Sequence, residues 1–200
     1  MTRSIPLVLL GVSLCGCGVA PVKQEPHSGA AAAQSVAPAP SHCVGTVGLP
    51  PQYANAFEAV VDEPLLKRAL GQTDKGGLCQ GTVYKSKKTL PVYRAWNSTN
   101  PRSRLGNWWA FNRPAGRTAA YRDAYEICYQ WSPLDQLTRC TLKKGARLVV
   151  GTGQSAYCDG FLTYPVSPAK QIYIAIDPDS PAVSDCVDYD GFFNWKRKES

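Results

Sequence analysis

Six cysteines lie beyond residue 42, at Cys43, Cys79, Cys128, Cys140, Cys158 and Cys186. An even set of this kind in an exported chain predicts three disulfides, and cross-links so widely spread commit the segment to one closed domain. Spacing alone leaves the pairing open. Zinc is the competing use of cysteine, and the spacing argues against it. No CxxC occurs, and the only two histidines, His27 and His42, fall before the domain or at its edge, so the close ligand pairs of a structural zinc site are missing.

Export is read from MTRSIPLVLLGVSLCGCG, which places one positive charge at Arg3 before an apolar run from Ile5 to Leu14 and then small residues. This is the order of a secretion signal, and the run is shorter than the ~20 apolar residues a spanning helix needs. Leu14, Cys15, Gly16 and Cys17 resemble the lipobox of a bacterial lipoprotein. The resemblance implies a signal over 1–16, acylation of Cys17 by a fatty acid such as palmitate, and attachment to the outer membrane. Residues 17–42 are rich in Ala, Pro and Ser with little to bury. They read as a flexible tether with a reach of roughly 25 to 30 Å. Residues 43–200 remain as a single globular domain, expected to be monomeric.

Loss of Arg3 with the signal lowers the formal charge of +7 by one and leaves the chain basic, which favours an anionic partner. Eight of the 22 Lys and Arg residues fall in three separate runs, KSKK at 85–88, LKK at 142–144 and WKRK at 195–198. These read as solvated faces, and nucleic acid is not expected as a partner. A domain without histidine also lacks the base of a Ser-His-Asp or Cys-His hydrolase. Chemistry in it must use Arg, Gln, Ser, Tyr and carboxylates.

Local patterns predict an α+β fold with a mainly antiparallel sheet, an N-terminal helical segment and a middle amphipathic helix. Tyr53, Ala56, Phe57, Val60 and Val61 recur at helical spacing, and Pro64 opens a second short helix through Leu70. GTVYKS (81–86) and LPVYRAW (90–96) alternate as neighbouring strands, Asn107–Phe111 reads as a third, and ARLVVGTG (146–153) and KQIYIAI (170–176) as buried ones. Ala120, Tyr121, Ala124, Tyr125 and Cys128 form one helical stripe. SPLD (132–135) has the residues of a helix start. GTGQSA (151–156) has the look of a phosphate loop but no following helix, and a disulfide-held turn at Cys158 fits it better.

The order VYR, then NWWAF, then a helix carrying YR, then VVG and QIYI strands resembles the ADP-ribosyltransferase superfamily, in its NAD glycohydrolase branch of the necrotizing-toxin type. The resemblance spans roughly residues 80–177. It implies that Arg94 grips the dinucleotide, that Trp109 or Phe111 packs against the nicotinamide, and that Gln171 holds the reacting ribose, with NAD as substrate and neither cofactor nor metal. Arg94 offers a planar fork for phosphate, an aromatic face stacks on a ring, and Gln171 hydrogen-bonds hydroxyls while staying neutral. Trp108 and Trp109 alternate across their strand, so one is expected in the core and the other at the cleft. The superfamily's glutamate is missing after Gln171, which favours NAD hydrolysis over protein modification, or else a fold that has lost activity. Two other classes fit the same sequence: a non-enzymatic envelope lipoprotein that binds an anion, and a lipoprotein inhibitor of a foreign lytic enzyme.

Overall fold

The computed structural model describes residues 42–199. The signal, Cys17 and all of the tether but its last residue, His42, lie outside the described residues. The chain enters through a 3-10 turn, Pro51–Ala56, and strand β1, Phe57–Ala59. Helix α1, Glu63–Ala69, starts where Asp62 accepts the Leu65 amide at 3.1 Å, with Pro64 in its first turn and Lys67 and Arg68 in its last. These are the local signals that begin and end a helix in any context.

Strands β2 (Leu78–Ser86), β3 (Leu90–Trp96) and β4 (Trp108–Trp109) follow, then helix α2 (Thr118–Tyr125) and β5 (Gln136–Leu142). Next come β6 (Arg147–Gly153), β7 (Ala156–Cys158), β8 (Leu162–Tyr164), β9 (Ser167–Tyr173), β10 (Val183–Asp190) and β11 (Lys196–Arg197). They assemble as a five-stranded sheet in the order β1-β2-β6-β9-β4, a four-stranded sheet β11-β10-β5-β3, and a β7-β8 hairpin. Every paired strand is antiparallel to its neighbour. The expected α+β class and mainly antiparallel sheet are therefore present.

Period-two alternation divides the core. Tyr84, Trp109, Val150 and Ile172 pack with Val92, Cys140 and Leu142 of the four-stranded sheet, whereas Val83 and Val149 pack with Leu65 and Ala69 of α1. Tyr93 and Ala110 exchange backbone hydrogen bonds of 2.9 and 2.8 Å. This bridge joins β3 of one sheet to the residue after β4 of the other, and so carries Arg94 beside the tryptophans.

Three disulfides use all six domain cysteines: Cys43–Cys79, Cys128–Cys158 and Cys140–Cys186. The second ties the turn after α2 to Cys158 at the end of β7, while GTGQSA runs from the end of β6 through Gln154 and Ser155 into β7.

Three expected elements are corrected. The helix over Tyr53–Val61 is a 3-10 turn followed by an edge strand, because Phe57, Glu58 and Ala59 pair with Ser86, Lys85 and Tyr84. SPLD starts no helix. Ser132 Oγ accepts the Leu134 amide at 3.0 Å and Leu134 turns left-handed at φ 59°, so the serine closes a turn that leads into β5. Finally, β2 and β3 are strands but not partners, since β2 pairs with β1 and β6 while β3 pairs with β5.

Candidate functional site

Residues of β3, β4, β9, the end of α2 and the 131–134 turn line a cleft of about 190 Å³. Arg94, Trp109 and Gln171, chosen from distant parts of the sequence, all lie on it, together with Trp108, Tyr121, Tyr125, Glu126 and Trp131. Phe111 does not. It is buried in the core between the sheets and stacks on Tyr53 with ring centroids 4.4 Å apart, so its assignment to a ligand is corrected.

Trp109 is only 4 % exposed, and its indole N–H donates to the Gly106 carbonyl at 2.8 Å. Trp108, half-buried and edge-on to Tyr173, is the more accessible of the pair. Tyr121 and Tyr125 stack on each other at 4.4 Å. Burial raises both phenol pKa values, so these rings stay neutral.

The Arg94 fork is partly committed before any ligand arrives. Its Nε donates to the Ser103 carbonyl at 2.6 Å and Nη1 to the Trp108 carbonyl at 2.7 Å. A Cβ on Gly106 would collide with the guanidinium, so glycine there gives the cation its seat. No carboxylate pairs with Arg94 among the described residues. Burial lowers its pKa to about 10, which still leaves it charged at neutral pH. The arginine thus keeps a net charge but not the free two-pronged fork expected from sequence, with Nη2 packed against Gly106.

The opposite wall carries a pair that sequence reasoning missed. Gln171 Nε2 donates to Glu126 Oε2 at 2.6 Å and to the Tyr125 carbonyl at 3.4 Å. Glu126 caps the C-terminus of α2 in the left-handed region at φ 47° and is 2 % exposed. Its carboxyl lies against Gly153, where a Cβ would strike both oxygens. The glycine of GTGQSA therefore makes room for a carboxylate. Burial is the main reason the Glu126 pKa stands at about 8; the Gln171 hydrogen bond opposes the rise and Asp123 adds to it.

Arg122, four residues before Glu126, forms no ion pair with it among the described residues. Instead its guanidinium donates to the carbonyls of Ile127, Cys128 and Ser132. The usable signal was the position of Glu126 between Tyr125 and Cys128, at the buried end of the helical stripe.

Four buried side-chain atoms lack a hydrogen-bond partner among the described residues: Trp96 Nε1, Glu126 Oε1, Gln136 Oε1 and Thr152 Oγ1. The first two belong to residues of this cleft. Buried polar groups are nearly always satisfied, so these two unpaired atoms mark polar groups held out of water beside the cleft.

Compared with known families, curated proteins and solved structures, the chain matches no family model, no curated relative and no solved structure.

Proposed function

We propose that this cleft binds NAD and hydrolyses its nicotinamide–ribose bond, in an exported effector of the ADP-ribosyltransferase type. The observation that carries the reading is the convergence of Arg94, Trp109 and Gln171 on one cavity from three separate strands, β3, β4 and β9. A cleft of about 190 Å³ is below the ~300 Å³ at which ligand sites usually begin. It suits a nicotinamide ring and its ribose, leaving the adenylate half outside near Trp131, which is 47 % exposed.

In this reading the C1′–N bond breaks and its electron pair neutralises the pyridinium nitrogen, so nicotinamide leaves uncharged. Water then adds to C1′ and its proton passes to solvent. Positive charge builds on the sugar, and catalysis consists of orientation and electrostatic support. Gln171 serves the ribose hydroxyls, Trp108 and Trp109 the ring, and the Arg94 charge the phosphates.

Incubating the oxidised protein with NAD and measuring free nicotinamide tests the proposal. Gln171→Ala is expected to reduce turnover more than affinity. A second reading, anion binding without chemistry, draws on the unpaired Arg94 cation, and NAD binding without nicotinamide release would favour it. The N-terminal reading is proposed alongside: Cys17→Ser is expected to move the protein from the membrane to the soluble fraction, and unchanged fractionation would remove the lipid anchor from the account.

A further inference from the structure

We propose that Glu126 is a positioning residue that decides which end of the Gln171 amide faces the cleft. Its functional consequence rests on the NAD-hydrolysing reading above, but the device stands on geometry that can be measured without NAD. An amide has one acceptor end and one donor end, and the two are nearly equal in size. At Gln171 both hydrogens of Nε2 are spent inward, on Glu126 Oε2 and on the Tyr125 carbonyl. Among the described residues the carbonyl Oε1 of Gln171 has no partner, so the amide presents an acceptor to the cavity. An acceptor is what the hydroxyl donors of a ribose diol require.

The carboxylate form of Glu126 can only accept, and it therefore locks the amide with its NH₂ inward. The neutral carboxyl carries a proton that can be donated to an amide oxygen, so protonation removes the shorter of the two contacts and leaves only the Tyr125 carbonyl, at 3.4 Å, against the amide turning around. The seat is shaped for the group, because Gly153 supplies the space that a side chain would fill. Glu126 Oε1 lacks a partner, so Oε2 is the oxygen that engages the amide and the one whose protonation releases it.

The groups facing the carboxyl are Asp123 and Tyr125 on its own helix, and Ser167 and Gln171 on β9. The last two do not titrate over ordinary pH. Arg94 and Tyr121 share the cleft lining. With burial holding Glu126 at about 8, the lock engages as pH rises from neutral into the mildly alkaline range.

The first test is NMR on the intact oxidised protein, labelled with ¹⁵N and ¹³C, following the Gln171 side-chain NH₂ and the Glu126 carboxyl carbon from about pH 6 to 10. The proposal expects both to titrate with one midpoint, and the Gln171 shift to vanish in the isosteric Glu126→Gln variant. A Gln171 signal that does not titrate, that titrates with a different midpoint from Glu126, or that titrates equally in the variant overturns it. The wild-type comparison needs no variant to fold.

The second test is NAD hydrolysis against pH. Turnover should rise along the same midpoint, and Glu126→Gln should lower kcat at least about tenfold at high pH, flatten the profile, and leave KM within about twofold. A variant with wild-type kcat and profile contradicts the proposal. A coupled NMR titration in a protein that releases no nicotinamide would instead retain the positioning device and dismiss NAD as the substrate.

Discussion

At Glu126 a carboxyl is held out of water with one oxygen unpaired, and the cost appears in the pH dependence of folding. Its pKa is raised from the ordinary 4.5 to about 8, chiefly by burial. Below about pH 4.5 the group is protonated both folded and unfolded and contributes no pH dependence. Between about 4.5 and 8 the folded state keeps a proton that the unfolded state releases, so stability falls as pH rises, by up to about 1.4 kcal/mol per unit from this group. Above about 8 both states are ionised and the decline levels off. Glu126→Gln is expected to remove that slope. Urea unfolding at a series of pH values measures it, and equal slopes in wild type and variant would mean that Glu126 titrates normally.

Among the elements, the 97–107 connection depends on a single side chain. It contains a 3-10 turn, Pro101–Leu105, whose Ser103 carbonyl is fixed by Arg94 Nε, while Nη1 fixes Trp108 at the start of β4. Arg94→Lys removes the fork that reaches both carbonyls, and lysine can restore one bond at most. Charge-assisted bonds of this kind are worth about 1.5 to 3 kcal/mol each, so a loss of about 2 to 4 kcal/mol is expected, with faster hydrogen exchange confined to 97–109. Wild-type stability and exchange in this variant would show that the arginine is free for ligand alone.

The same scale shows which elements could be read in advance. Helix α1 was legible because its cap, proline and basic last turn act locally, and β6 and β9 because runs such as LVV and QIY have few alternatives to burial in a sheet. The Tyr53–Val61 segment was not, since its apolar residues are spaced equally well for a helix and for a turn followed by an edge strand. Only β2, a partner distant in sequence, decides between them. Glu126 was hidden for a related reason: in YRDAYEIC it looks like one charge among several on a solvated face. The chain reversal that brings β9 and Gly153 against it is not written in its neighbours.

At the scale of the whole molecule, three disulfides join cysteines 36, 30 and 46 residues apart, the second and third loops overlapping over residues 140–158. Losing a native bridge costs about 2 to 5 kcal/mol, a large part of the stability of a domain this size. Peptide mapping of protein unfolded without reductant should find none of the six domain cysteines free, in the three pairs above. A different pairing, or two free thiols among the six, would contradict the fold. Reduction is expected to disturb the cleft through Cys128–Cys158 in particular, since this bridge anchors the turn that follows Glu126 to the β7 strand.

The two sheets meet at the Tyr93–Ala110 bridge, and the cleft takes Arg94 from one sheet and Trp109 and Gln171 from the other. Whether that assembly performs chemistry is decided most directly by nicotinamide release. The oxidised wild-type protein, the Gln171→Ala variant and a reduced control are incubated with NAD at about pH 8.5, and free nicotinamide is followed over time. Steady release by the wild type, loss of most of it in Gln171→Ala with little change in KM, and none after reduction are expected. A correctly disulfide-bonded wild type that releases no nicotinamide would contradict the proposal.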